Sequence, residues 1–259
     1  MGAILTDRTP TTLTGAIEDN PFALFRAIGR LPGGEVDDSD ELLRFSTGLP
    51  SAFFNGVART RVESVAADLL PQPFFWWTGP QSEPPDLDER LESAGLRPAG
   101  RDWPGMAMAL DEIDEAAAFP RGVAVEQVEG EAAVSEWVVS FCAAHALPPA
   151  SGEAWLGAAR RLRFRHIPWQ HWIARIDRDV VGVGLSFVGA GVIGLYGIGT
   201  LPAARRRGVR SALTLVPMLQ AREAGYRAAI LQSTPDGERL YPRLGFRTYC
   251  TVSRFLGGV

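Results

Sequence analysis

Along the second half of the chain, apolar positions alternate between a period of two and a period near 3.6, which reads as strands and helices in turn. Val123-Ala-Val125 reads as a strand. A helix over Glu131 to His145 stops before Pro148-Pro149, and a second spans Glu153 to Leu162. Trp172 to Ile176 and Val180 to Phe187 flank Asp177-Arg178-Asp179, a hairpin signal, and Val192 to Thr200 reads as the next strand. From Arg206 a helix carries Val209, Ala212, Leu213, Val216 and Leu219 on one face and ends before Gly225. Pro217 inside it removes one ladder donor and should bend it. Arg227 to Gln232 reads as a short buried strand. Thr234 then caps a helix with Pro235 in its first turn, running to Leu244 with Gly245 after it. Phe246 to Phe255 closes as one or two strands.

The first half is less regular. Phe22-Ala-Leu-Phe25 and Ile28 predict a short amphipathic helix ending near Gly29. Arg44-Phe45 and Phe53 to Val57 predict short strands around the turn Thr47-Gly48-Leu49-Pro50, and Val62 to Leu69 suits a helix. Phe74 to Trp77 reads as a buried strand. Pro84-Pro85-Asp86 opens a helix with Leu87, Leu91 and Ala94 on one face and Gly95 as its C-terminal cap, and Met106 to Leu110 resembles a closing strand. Gly95 and Gly245 lie 150 residues apart, and aligning them sets Ala94-Gly95-Leu96-Arg97 against Leu244-Gly245-Phe246-Arg247. Each glycine follows an apolar strand, a Pro-containing joint and a helix, so the halves read as a degenerate duplication. The acidic, Ala-rich stretch Asp111 to Pro120 reads as the joint between them. The expected organisation is residues 1–112, a linker at 113–121, and 122–259.

Composition narrows the class. At 259 residues the chain has room for one large core or two modest ones, and its 46% hydrophobic and 22% charged content is that of a globular protein. A net charge of −4 argues against a general nucleic-acid or anionic-membrane binder. All 26 basic residues are Arg, as a GC-rich coding bias would produce. Cys142 and Cys250 form neither a disulfide framework nor a zinc site by spacing, so no metal and a cytoplasmic location are expected. Met1-Gly2 with Thr6 fits a myristoylation pattern that no basic patch supports, and no basic segment precedes an apolar one as in a signal peptide. Val180 to Leu201 is long enough to span a membrane, but its seven glycines and the central Gly189-Ala190-Gly191 read as a hairpin.

The segment richest in chemistry is Thr200-Leu-Pro-Ala-Ala-Arg205-Arg-Arg-Gly208-Val-Arg-Ser-Ala-Leu213. A strand runs into a turn that opens a helix, where unpaired backbone N–H groups and the positive dipole end suit a diphosphate. Gly208 lets the main chain approach closely. By itself, Arg205-Arg206-Arg207 reads better as a solvated basic helix start than as an anion site. The stretch resembles the acyl-CoA signature Arg/Gln-x-x-Gly-x-Gly/Ala of the GNAT superfamily of N-acetyltransferases, with Arg205 and Gly208 in place and Arg210 standing where a small residue is usual. Leu240-Tyr-Pro-Arg-Leu-Gly-Phe246 resembles the second GNAT signature. The resemblance covers residues 122–256, and the first half resembles the incomplete half-domain of two-part members.

The resemblance implies an α/β fold with a mixed sheet: a GNAT-like acyl-CoA-binding domain preceded by a partial, degenerate GNAT-like repeat. It implies acetyl-CoA lying in a splay near Ile198, Gly199, Thr200 and Leu201 on one strand and Leu231 to Ser233 on the next. Amides around Arg206, Arg207, Gly208, Val209, Arg210 and Ser211, with Arg205, would hold the diphosphate. Tyr241 would protonate the leaving thiolate, as a phenol of pKa near ~10 suits. Gly208→Glu should then abolish CoA binding with the fold intact. The implied activity is direct acetyl transfer to a small-molecule or peptide amine; an acyl-CoA sensor or assembly protein without turnover is the other class. No base is visible: Val192–Thr200 holds neither an acidic residue nor His, and Glu153, His166 and His171 suit surface or core polar positions as well as a pocket border. The same is true of Trp155, Phe164, Trp169 and Trp172, while Arg160, Arg161, Arg163 and Arg165 suit either an anionic acceptor or a solvated helix face. Leu91 stands opposite Tyr241 in the repeat, so one CoA per chain is expected. Residues 1–110 are left to form a wall of the acceptor pocket or an interface, a homodimer being one such assembly.

Overall fold

The computed structural model describes residues 3–62, 64–65, 69–162 and 169–258. The first half comprises α1 (Pro10–Gly29), β1 (Glu35–Asp38), β2 (Leu43–Ser46), β3 (Asn55–Ala58), β4 (Phe74–Thr78), α2 (Leu87–Ser93) and β5 (Arg97–Ala109). A short α3 (Glu115–Ala118) leads into β6 (Ala124–Gln127), α4 (Gly130–Ala144) and α5 (Pro149–Leu162). Then come β7 (Trp169–Ile176), β8 (Asp179–Gly189), β9 (Val192–Thr200), α6 (Val209–Glu223), β10 (Ala228–Gln232) and β11 (Arg247–Gly257).

The eleven strands of the described residues form one sheet in the order β1-β2-β3-β4-β11-β5-β10-β9-β8-β7-β6. The pattern is close to a palindrome. In each half one parallel pair, β3 with β4 and β9 with β10, follows antiparallel neighbours. The last strand of each half crosses over: β5 pairs with β10, β11 pairs with β4, and the two pair with each other. Strands β5 and β11 begin at Arg97 and Arg247, the offset of the sequence repeat. Neither half can close its sheet without the other.

The helices divide between the two faces of this sheet. Residues of α1, α4 and α5 share a core with Phe45, Ile173, Val183 and Phe187 on one face. On the other face α6 packs Val209 and Leu213 against Trp172 and Ala174, and Leu215, Met218 and Leu219 against Met106, Ile193, Leu195 and Leu231. Alternation along β10 decides which side each residue serves: Ala228 and Ile230 face α1, while Ala229 and Leu231 face α6. Helix α1 begins well before the apolar run expected of it, because Thr9 accepts from the amide of Thr12 and Pro10 occupies the first turn. From there it crosses the sheet. Asn20, fully buried in it, donates to the carbonyls of Gly189 (2.8 Å) and Val192 (3.3 Å) and accepts from the Tyr196 hydroxyl (2.5 Å), pinning the first half to the β8–β9 hairpin.

Val180 to Leu201 forms β8 and β9 joined at Ala190-Gly191, and among the described residues no helix is long and apolar enough to cross a membrane. The helix expected over 234–244 is replaced by turns and a single 3-10 turn at Tyr241–Leu244. The amides of Gly237, Glu238, Leu240 and Arg243 bond three residues back, to Thr234, Pro235, Gly237 and Leu240, and Pro242 has no amide to give a helix through this stretch. Of the helix expected over 62–69, residues 63 and 66–68 lie outside the described residues, as do Met1-Gly2 of the myristoylation pattern.

Candidate functional site

Strands β9 and β10 stay together for three residue pairs only, ending at Leu195 with Leu231. Beyond this point β9 runs on to Thr200 held by β8 alone, while the Ser233 amide turns away to donate to the Pro104 carbonyl of β5 at 2.9 Å. The gap is deepened by a bulge: Val183 faces Gly199 and Leu185 faces Tyr196, so β9 carries an extra residue, with Gly197 at φ +53. One side of Tyr196–Thr200 therefore has no strand partner among the described residues, and two sheet faces communicate through the opening.

On the α6 face the opening meets a cavity of about 350 Å³ lined by Thr200, Ala204, Arg205, Arg206, Gly208, Val209, Arg210, Ser211, Asp236 and Leu240. Arg206 (φ +63) and Gly208 (φ +79) are both left-handed, which swings the loop so that α6 starts at the cavity wall. No side chain caps this helix, so its first amides keep their donors free. Thr200 Oγ1 is buried without a hydrogen-bond partner. Arg210, where the signature has a small residue, stretches across to donate to the Asp236 carbonyl at 2.8 Å.

Six of the seven residues expected at the diphosphate site thus meet around one cavity, together with Thr200. Ile198, Gly199 and Leu201 lie on and just beyond the free stretch of β9, Ser233 is buried at the end of β10, and Arg207 is exposed outside the lining. Tyr241 is buried behind Leu240, edge-on to Phe246 at 5.8 Å. Burial raises its phenol above the usual range, against the opposing charge of Arg210, so it is protonated at neutral pH. A Cβ on Gly208 would stand 2.8 Å from Pro120, so Gly208→Glu would strain the fold as well as fill the site, contrary to the sequence expectation.

Through the opening, on the face of α1, α4 and α5, stands His145, the C-cap of α4. Its Nε2 lies 3.0 Å from the Gly197 carbonyl and its ring 4.5 Å from that of Phe141. A carbonyl can only accept, so Nε2 carries the proton and Nδ1 keeps the lone pair. Burial depresses this imidazole below its ordinary value, the Gly197 bond opposes that, and Arg210 adds to it. A Cβ on Gly199 would lie 2.8 Å from Nε2, so glycine there is what lets the ring reach the bulge.

No protein-family model and no curated protein matches the sequence. Solved structures do match the fold. A GCN5-related N-acetyltransferase from Kribbella flavida matches with a TM-score of 0.67 at 18% identity, over 94% of this chain and 96% of that one. The chain has the fold of the GCN5-related N-acetyltransferases, the GNAT fold. A second such protein, from Sphaerobacter thermophilus, matches with a TM-score of 0.56 at 18% identity over 96% of this chain and 93% of that one. A tandem GNAT protein from the clavulanic acid biosynthesis pathway matches with a TM-score of 0.55 at 12% identity over 99% and 96%.

Within the GNAT fold of this chain, the remaining expectations divide by face. His171 is a core residue, boxed edge-on by Trp137 and Trp169, and burial depresses it to about 4. Trp155 packs against Phe53, Phe54, Trp137 and Phe141 on the α4 side. Trp172 points to the α6 side, where its Nε1 donates to Ser186 Oγ at 2.9 Å. Glu153 is exposed on α5, and Arg163, Phe164, Arg165 and His166 lie outside the described residues, as do the side chains of Arg160 and Arg161. The sequence reading missed Asp236, Leu240 and His145. Only the folding-over of the 234–240 loop brings the first two to the cavity, and His145 is 52 residues from its Gly197 partner. The pattern at its position is that of any helix end.

Proposed function

We propose that the protein is an acetyltransferase that moves the acetyl group of acetyl-CoA to an amine. The observation that carries this is the junction of a split parallel strand pair with an uncapped helix start over a cavity of about 350 Å³. The residues present suit CoA: the free amides at Gly208–Ser211 and Arg205 and Arg206 offer donors and charge for a diphosphate, and the unpartnered Thr200 Oγ1 offers a polar contact. The free stretch Tyr196–Thr200 offers backbone groups to the amides of a pantetheine arm. Acetyl-CoA supplies the acyl group as a thioester.

The split strands separate two tasks. Tyr241 lies on the α6 side and would give its phenolic proton to the sulfur as the C–S bond breaks. His145 lies on the opposite side, neutral and with Nδ1 free, and would take the proton that the amine loses as the C–N bond forms, directly or through a water. The acceptor then approaches from the α1, α4 and α5 face, since the other is taken by the diphosphate site. Ser211→Glu tests the reading, because it puts a carboxylate into the cavity from an ordinary helical position. CoA affinity by calorimetry should fall at least about tenfold with an unchanged melting curve. Unchanged affinity in the folded variant would place the CoA site elsewhere.

A further inference from the structure

Helix α1 carries a buried carboxylate that the acyl-transfer chemistry above does not use. Glu18 is 4% exposed; its Oε1 accepts from the Gln81 amide at 3.1 Å, and its Oε2 is buried without a partner. It lines a void of about 20 Å³ shared with Phe22, Phe25, Trp77, Ser82 and Gln232. That is room for one water-sized group, which is also the size of an ammonium. Asp19 adds a second negative charge beside it, and no cation forms an ion pair with either carboxylate among the described residues.

The position of the void gives it meaning. Gln232 is the first residue past the last β9–β10 pair, and its side chain reaches the α1 face to donate to the Ile17 carbonyl at 2.9 Å. The void therefore lies on the α1 face beside the end of β10, walled otherwise by α1, by β4 with the turn after it and by Val252 of β11, and this is the face from which the acceptor would approach. Gly79 gives it a tight wall: a Cβ there would lie 2.6 Å from Glu18 Oε1. A buried anion with a free oxygen and three aromatic neighbours is the surrounding that a protonated amine prefers. Burial and Asp19 both make the bare carboxylate costly, and a bound cation would relieve both.

We propose that the Glu18 void is a subsite for a second, cationic group of the acceptor, which makes the substrate a diamine-like molecule acetylated at one end and held at the other. The placement of the reacting end rests on the acyl-transfer reading; the cation subsite itself does not. The probes are 1,4-diaminobutane and 1,6-diaminohexane, against butylamine and hexylamine, with acetyl-CoA and the full chain at pH 8.5 and constant ionic strength. The diamines should exceed the monoamines of equal length by about tenfold or more in kcat/KM, through KM, and in Glu18→Gln the ratio should fall to near one. In parallel, 1,4-diaminobutane without acetyl-CoA should raise the melting temperature of the native protein and not that of Glu18→Gln. A ratio near one in the native protein, a ratio that survives in Glu18→Gln, or equal thermal shifts in the two would overturn the subsite and leave the void to a water. Selective stabilisation by the diamine with no CoA release from any amine would keep the subsite and overturn acyl transfer.

Discussion

Replacing Glu18 by Gln should make the protein more stable, and only above the pH at which the carboxyl ionises. The substitution keeps shape and the bond from Gln81, and it removes a charge that bulk water does not solvate. Burial pushes the Glu18 carboxyl from 4.5 to about 7, with Asp19 adding to the rise and the Gln81 amide opposing it. Cys250, whose thiol burial and the Glu18 charge push up to about 12, stays neutral throughout. A carboxyl raised on folding binds its proton more tightly in the native state, so stability falls as pH climbs from about 4.5 to 7 and stays reduced above that. At about 1.4 kcal/mol per pH unit, the full penalty is about 3 kcal/mol. For a chain of 259 residues with an unfolding entropy of about 2.1 cal/mol/K per residue, that is about 5 °C in melting temperature. Urea titrations of both proteins at pH 4.5, 6, 7 and 8.5 would measure it. Their difference should be near zero at the first and about 3 kcal/mol at the last. An offset that does not change with pH, or a variant less stable at pH 8.5, would refute the burial argument.

Three other outcomes are expected. Tyr241→Phe should lower kcat by about 10²–10⁴ on a confirmed acceptor while CoA affinity changes little, and normal turnover would reduce Tyr241 to a packing residue. If the proposed activity holds, the acidic limb of kcat/KM in the native protein should lie below the ordinary histidine value, because burial depresses His145; His145→Gln should remove that limb and lower the rate on the order of 10². Asn20→Ala should cost about 2–3 kcal/mol in urea unfolding, since it strands the Tyr196 hydroxyl and hairpin carbonyls in the core. A loss below about 0.5 kcal/mol would mean that water replaces the amide.

Local patterns were enough for most of the second half. Strand β9 has the bounds its apolar run predicts, and the Gly-rich stretch from Val180 is a hairpin because seven glycines and a turn tripeptide suit no long helix. The helix start at Arg205–Ser211 was legible for the same reason: glycine, basic residues and a following apolar stripe are near neighbours in sequence. The closing strand expected over Met106 to Leu110 is only the last part of β5, which begins at Arg97, 150 residues before β11 begins at Arg247. Tertiary structure alone decided the exchange of β5 and β11, because which strand fills a sheet edge depends on the partner's register and not on its own alternation. It also decided the site. Position 237 takes glycine only because the Tyr241 ring lies over it, and His145 meets Gly197 only because β9 bulges where α4 ends. Glu18 lies before the apolar run that predicts a helix at Phe22 to Gly29, and nothing in the local pattern marks it. Its burial comes from strands contributed by both ends of the chain, and no periodicity within α1 records them.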